Sequence, residues 1–116
     1  MTDEHPYSTA FRSGDLVAVS GRLGVTEPGV LTPGGFPAEC AQAFANLAEA
    51  LAGAGAQRSD VVQVTAYLTD IGDRDRLNAA FAAFFAEPRP ARTCVGVASL
   101  PYGACVEIDA LARVVG

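Results

Sequence analysis

The sequence predicts an α+β fold: one mixed β-sheet with two helices packed on a single face. Three observations carry that expectation. Two stretches repeat apolar residues at spacings of three and four, as amphipathic helices do. Five short runs are rich in β-branched residues or alternate between apolar and polar positions, as strands do. These segments follow the order ββαβαββ over 116 residues, a length that suits one domain spanning residues 1–116.

Met1 to Pro6 is polar, and a frayed start is expected there. A first strand is predicted from Tyr7 to Arg12, ending at the Ser13-Gly14-Asp15 turn. Leu16 to Ser20 is a second strand, closed by Gly21, so the pair reads as a hairpin. The stretch from Gly24 to Pro37 holds Pro28, Gly29, Pro33, Gly34, Gly35 and Pro37, a density that predicts one long surface loop. A helix follows from about Ala38 to Ala52, its stripe formed by Phe36, Cys40, Phe44, Leu47 and Leu51. Glu39, Gln42, Asn46 and Glu49 take its other faces, and Gly53-Ala54-Gly55 stops it.

Val61 to Leu68 alternates, with Val62, Val64, Ala66 and Leu68 on one face and Val61, Gln63, Thr65 and Tyr67 on the other. The second helix runs from near Asp73 to Ala86, with Leu77, Phe81, Phe84 and Phe85 as its apolar face and Pro88 and Pro90 ending it. Strands Arg92 to Ala98 and Ala104 to Val114 close the chain. The sheet face away from the helices would carry Gln63, Thr65, Cys105 and Glu107. That mixture is too polar for a core, so cover by further copies of the chain in a closed ring is expected.

Composition points the same way. The chain is 50% hydrophobic and 18% charged, and much of the apolar content is alanine, so an oligomer is expected over a monomer. All eight basic residues are arginine, against thirteen acids, giving a net charge of −5. Affinity for nucleic acid rests on cation–phosphate contacts, so an acidic chain without a basic cluster is a poor nucleic-acid binder. Cys40, Cys94 and Cys105 are odd in number and lack metal-ligand spacing, and His5 is the single histidine. No metal site and no disulfide framework are expected. No signal pattern and no run of 18 apolar residues occurs, so a cytoplasmic protein without membrane attachment is expected.

Few residues suit chemistry. Arg92 enters a strand directly after Pro90-Ala91, where its planar fork could present two parallel hydrogen bonds to a carboxylate. Read from sequence alone, a solvated arginine or a structural ion pair fits better. Glu107 stands in mid-strand between Val106 and Ile108, against its propensity, either as a general base or as an outward charge. Cys94 points to the same strand face as Arg92. A cysteine nucleophile would need His5 as its base, so thiol chemistry is disfavoured.

Several segments together resemble the RidA/YjgF/UK114 family from end to end. They are Pro6-Tyr7-Ser8, Leu16 to Gly21, Glu39 to Leu47, Asp60 to Asp70, Leu77-Asn78, Pro90 to Val95, Leu100-Pro101 and Val106 to Ile108. The resemblance implies a chorismate-mutase-like (YjgF) fold and a homotrimer with a central barrel-like sheet core and a small-molecule cleft at each subunit interface. It implies Arg92 as the substrate-carboxylate anchor, Cys94 as a main-chain contact to the imine or carbonyl end, and Glu107 as the acid holding the attacking water. Tyr7, Ser20 and Asn78 would line the same pocket.

The implied activity is cofactor-independent hydrolysis of small 2-enamino or 2-imino acids, such as 2-aminoacrylate or 2-iminopropionate, to 2-keto acids and ammonia. A binding or regulatory module without turnover, and a deaminase of a larger enamine of the aminomuconate type, are the alternatives. Arg22 where glutamine is usual, a short segment from Phe85 to Pro90, Gly96 in place of an acid, and His5 before Pro6-Tyr7 depart from the family pattern. These departures bear on the substrate more than on the fold.

Overall fold

The computed structural model describes residues 5–115. Fraying is expected over Met1 to Pro6; residues 1–4 lie outside the described residues, and His5 and Pro6 are exposed and belong to no helix or strand. Among those described, two α-helices accompany a five-stranded sheet and a two-stranded hairpin. The large sheet has the order β1(Ala10–Ser13), β2(Leu16–Leu23), β7(Val106–Arg113), β5(Val61–Leu68), β6(Ala91–Gly96). Its pairs are antiparallel except β5 with β6, so the sheet is mixed, as expected.

One face of the sheet is the core. Val17, Val64, Ala66, Leu68, Val106, Ile108 and Ala112 are fully buried there, packed with Leu47 and Leu51 of α1(Gly35–Gly53) and Leu77 of α2(Arg74–Phe84). Burying the Val, Leu and Ile side chains contributes roughly 1.5–3 kcal/mol each, which makes this apolar face the main force holding helices to sheet. The predicted stripe of α1 is buried throughout: Phe36, Cys40, Phe44, Leu47 and Leu51. Arg12 secures the C-terminal end of that helix by donating from Nη1 to the carbonyl of Ala54 at 3.1 Å. Among the described residues, no helix is long and apolar enough to cross a membrane.

Several elements differ from expectation for identifiable reasons. The segment read as one loop from Gly24 to Pro37 contains a hairpin, β3(Val25–Glu27) and β4(Val30–Leu31), turning at Pro28-Gly29. It then enters α1 at Gly35, so Pro37 lies in the first helical turn, where a missing N–H costs nothing. Gly24 has to be glycine, because a Cβ there would run into the main chain of Glu39. Glu39, expected on an outer face of the helix, is 8% exposed and accepts a hydrogen bond from the N–H of Cys105 at 3.0 Å.

Strand β2 does not close at Gly21 but continues to Leu23 through a bulge between Val19 and Arg22. The first strand starts at Ala10, not Tyr7. Residues 7–9 run beside β2 instead, tied by the Ser20 N–H to the carbonyl of Thr9 at 2.9 Å and the Ser20 hydroxyl to that of Ser8 at 2.7 Å. A second bulge, between Val61 and Gln63, breaks the predicted alternation of β5: Val61 is buried and Val62 is exposed. Helix α2 ends at Phe84, and β6 ends at Gly96 rather than Ala98.

Candidate functional site

Strand register decides which side chains can meet. Arg92 pairs with Val64 and Cys94 with Ala66, so both point to the face that carries the helices. Helix α2 lies next to them. Asn78 and Phe81 are three residues apart on one helix face. The Arg92 Nη2 donates to Asn78 Oδ1 at 2.6 Å, and the guanidinium sits 5.0 Å from the centre of the Phe81 ring. A half-buried arginine gripped on one edge and stacked on a ring has lost most of its freedom, while its remaining donors stay available.

Phe81 is itself fixed by an aromatic cluster, 4.8 Å from Phe85, which packs at 6.4 Å from Phe44 of α1. The short segment after α2 is closed by Arg89, which donates from Nε to the carbonyl of Phe85 at 3.1 Å. Cys94 is partly exposed beside Arg92. Strand β6 is an edge strand that pairs only with β5, so its outer side offers main-chain groups without strand partners.

Glu107 lies elsewhere. It pairs with Tyr67 and Leu23, on the face opposite Arg92 and two strands away from β6. Its carboxyl rests against the main chain of Gly21, where a Cβ would come 2.7 Å from Glu107 Cδ. Burial pushes its pKa above the ordinary 4.5, the nearby Asp109 carboxylate adds to that, and the Arg22 guanidinium opposes it. Asp109 in turn accepts a hydrogen bond from the Tyr67 hydroxyl at 2.8 Å, and this raises the pKa of Tyr67.

A cleft of about 1050 Å³ opens beside Glu107, at the end of β2 that β1 does not cover. Tyr7 lines it, its ring stacked on His5 at 5.0 Å, together with Arg22 and Tyr102. Tyr102 is a non-glycine residue at φ 64, and its ring lies over Gly29 of the hairpin turn. Ser20 does not present its hydroxyl to the cleft, because that group is bonded to Ser8.

The residues singled out from sequence therefore form two groups within one chain: Arg92, Cys94 and Asn78 on the helix face beside α2, and Glu107, on the opposite face, with Tyr7 at the cleft beyond β2. Sequence reasoning missed the hairpin residues and Tyr102, which shape the cleft, and missed Glu39 as a buried acid. The one available signal was Glu39's place between Phe36 and Cys40 of the apolar stripe. The two remaining cysteines are poor nucleophiles. Burial, with the Asp73 carboxylate near, raises the Cys40 thiol to about 11, and burial with a hydrogen bond to Glu39 raises Cys105 to about 12. Among the described residues, no group of three or more His, Cys, Asp or Glu is arranged to hold a metal ion.

The Endoribonuclease L-PSP family model matches residues 1–114. The chain is 40% identical over 108 residues to a 2-iminobutanoate/2-iminopropanoate deaminase of Bos taurus, covering 92% of this chain and 79% of that one. This chain belongs to the RidA/YjgF/UK114 family. A RutC family protein of Pyrococcus abyssi is 34% identical, over 92% of this chain and 85% of the relative. Among solved structures, RidA from an Antarctic Psychrobacter superposes with a TM-score of 0.89 at 38% identity, covering 97% of this chain and 92% of that one. A YjgF/YER057c/UK114 member from Mycobacterium tuberculosis superposes with a TM-score of 0.83 at 35% identity, covering 93% and 86%. The RidA-type fold and family expected from the sequence are confirmed.

Proposed function

We propose that this RidA-family chain hydrolyses small 2-imino and 2-enamino acids, such as 2-iminopropionate and its tautomer 2-aminoacrylate, to 2-keto acids and ammonia. The observation that carries the reading is the Arg92 guanidinium, held by Asn78 at 2.6 Å and stacked on Phe81, a preset receptor for a carboxylate. The names of the deaminase relatives support the same reaction class.

In this reading Arg92 holds the substrate carboxylate, and main-chain atoms at Cys94 meet the imine end. Glu107, ionised, orients a water and accepts its proton as the water oxygen bonds to the imine carbon. The proton passes to the nitrogen to give the carbinolamine, whose hydroxyl proton is then carried by Glu107 to the same nitrogen as the C–N bond breaks, releasing ammonia and leaving the 2-keto acid. Water is the only co-reactant, and no electrons are transferred, so the reaction calls for no cofactor.

Arg92 and Glu107 occupy opposite sheet faces of one chain, so the reading includes assembly. In a homotrimer, Arg92, Cys94 and Asn78 of one subunit would face Glu107 and Tyr7 of its neighbour, as a site between copies requires. The exposed Phe11, Leu16, Val95 and Leu111 give the open sheet face apolar area for such packing. The net charge of −5 weighs against a polyanionic substrate such as RNA.

The test is competition with a chemical trap. An amino-acid oxidase generates the imine, semicarbazide captures it, and the protein competes. The wild type is expected to suppress semicarbazone formation and Arg92→Ala to lose at least tenfold of that suppression. Equal suppression by the folded variant would sink the assigned anchor.

A further inference from the structure

We infer that Arg22 is a specificity-determining residue that receives a second acidic group, so that the substrate class extends to 2-imino acids with an acidic side chain. The inference rests on the deaminase reading, and it starts from the bulge in β2. The register shift between Val19 and Arg22 marks a bulge in β2, after which Arg22 pairs with Ile108 and Leu23 with Glu107, so Arg22 stands beside the Glu107 position. Arg22 is half-buried, and its Nε donates to the carbonyl of Ser20 at 2.9 Å, which fixes the direction of the guanidinium. Strand β1 does not extend over this end of β2, so the cleft runs past the strand edge and both Arg22 and Glu107 reach it.

The other end of the guanidinium makes no hydrogen bond, although its charge acts on the nearby Glu107 carboxyl. Its Nη nitrogens have no hydrogen-bond partner among the described residues, and the ion pairs there join Arg76 to Asp73, Arg89 to Glu87 and Arg113 to Asp15. Arg12, which also lines the cleft, is occupied with the carbonyls of Gly14 and Ala54. Arg22 is therefore the arginine of this cleft with donors to spare. A partly desolvated, oriented guanidinium suits a carboxylate, which it can meet with two parallel bonds. Glu27, Glu49 and Glu107 also line the cleft; the first two are exposed, so solvent screens their repulsion of an anion, while the half-buried Glu107 carboxyl shares the Arg22 charge with the incoming acid.

The cleft, at about 1050 Å³, is much larger than a three-carbon imino acid fills. In the homotrimer of the proposed function, where the Arg92 of a neighbouring copy would face this cleft, an acid group one or two methylenes beyond the imine carbon would reach toward Arg22 while the first carboxylate stays on that Arg92. The arrangement thus reads two carboxylates with two arginines.

The experiment measures kcat/KM of the full chain in the trapping assay for imines of aspartate and glutamate and for the imine of alanine. It also measures Kd for oxaloacetate, 2-oxoglutarate and pyruvate by calorimetry, with wild type and Arg22→Gln. The wild type is expected to favour the dicarboxylic members of both series. Arg22→Gln is expected to lower the dicarboxylic-to-monocarboxylic ratio at least tenfold in both. A ratio unchanged by Arg22→Gln would overturn the inference. Absence of turnover on every imine would overturn the deaminase reading instead, and the keto-acid affinities would still decide the role of Arg22. A fold check by circular dichroism, with Arg22→Lys as a second variant that keeps the charge and is expected to retain part of the preference, separates recognition from collapse of the bulge.

Discussion

The carboxyl of Glu107 lies directly against the main chain of Gly21, with Cγ only 3.1 Å from where a Cβ would stand. Gly21 belongs to the β2 bulge, and its lack of a side chain is what leaves room for the acid. Gly21→Ala should therefore push the Glu107 carboxyl aside while leaving the core intact, because the displaced atoms belong to the end of a flexible side chain. A misplacement of about 1 Å in a reacting group costs roughly a hundredfold in rate. We expect kcat/KM for imine hydrolysis to fall by about that factor with a nearly unchanged melting temperature. Full activity in Gly21→Ala would show that the position of Glu107 does not matter to the reaction.

Cys94 tests whether sulfur or main chain serves the site. It shares the face of Arg92, but among the described residues no histidine other than His5 occurs, and His5 stacks on Tyr7. Without a base beside it, a thiol is a weak candidate for nucleophilic attack. Cys94→Ser should retain kcat/KM to within about threefold, since the main-chain groups stay in place. A loss beyond about a thousandfold, toward the roughly millionfold loss that removing a catalytic nucleophile produces, would demand a thiol mechanism.

The helices, the mixed sheet and the core were legible because period and packing agree in Phe44, Leu47, Leu51, Val64 and Ile108. What escaped depends on single-residue insertions and on partners remote in sequence. The bulges at Val61–Gln63 and Val19–Arg22 leave composition unchanged yet reverse or re-aim side chains, so Val62 became exposed and β2 ran on past Gly21. The β3–β4 hairpin hid among turn residues because two- and three-residue strands are too short to show a period. Arg92 and Glu107 stood out from residue type and strand position, while their roles, and Tyr7 as a residue, came through family resemblance. Their separation onto two faces is a property of register, which no local pattern displays.

Glu39 offers a stability test on the link between α1 and the start of β7. Its Oε1 accepts the Cys105 N–H, a main-chain donor 66 residues away, and the acid is nearly buried. Removing a buried partner leaves that N–H unsatisfied, at a cost of roughly 1–3 kcal/mol. Glu39→Ala should lower the unfolding free energy by about that amount in urea denaturation, and Glu39→Gln, which keeps a carbonyl acceptor, should recover most of it. Equal stability of the wild type and Glu39→Ala would show that water replaces the bond.

In the proposed reaction Asn78 is a positioning residue, acting on the substrate through Arg92, whose Nη2 donates to its Oδ1 at 2.6 Å. Because Asn78 is exposed on α2, Asn78→Ala leaves the core untouched and frees one edge of the guanidinium. A hydrogen bond to a charged group contributes roughly 1.5–3 kcal/mol, so we expect kcat/KM to drop about tenfold or more, chiefly through a higher KM. An unaltered KM would mean that stacking on Phe81 alone holds Arg92 in place.

The pKa of Glu107 gives a pH signature with a defined sign. Burial disfavours its charged form, so the folded chain binds that proton more tightly than the unfolded chain, whose carboxyl titrates near 4.5. Between 4.5 and the raised folded value, stability contributed at this site falls as pH rises, and above that window the penalty is constant. Glu107→Gln has no charge to bury. Its stability relative to wild type should therefore be greater at pH 7 than at pH 4, as read from paired urea midpoints, while its kcat/KM falls roughly a hundredfold or more for want of the base. In the proposed mechanism the same carboxyl has to be ionised to orient water, so the acid limb of the wild-type kcat/KM profile should lie above pH 4.5. A Glu107→Gln variant whose stability gain is the same at both pH values would place the charge of Glu107 in full contact with solvent, and the acid limb would then have to be assigned to another group.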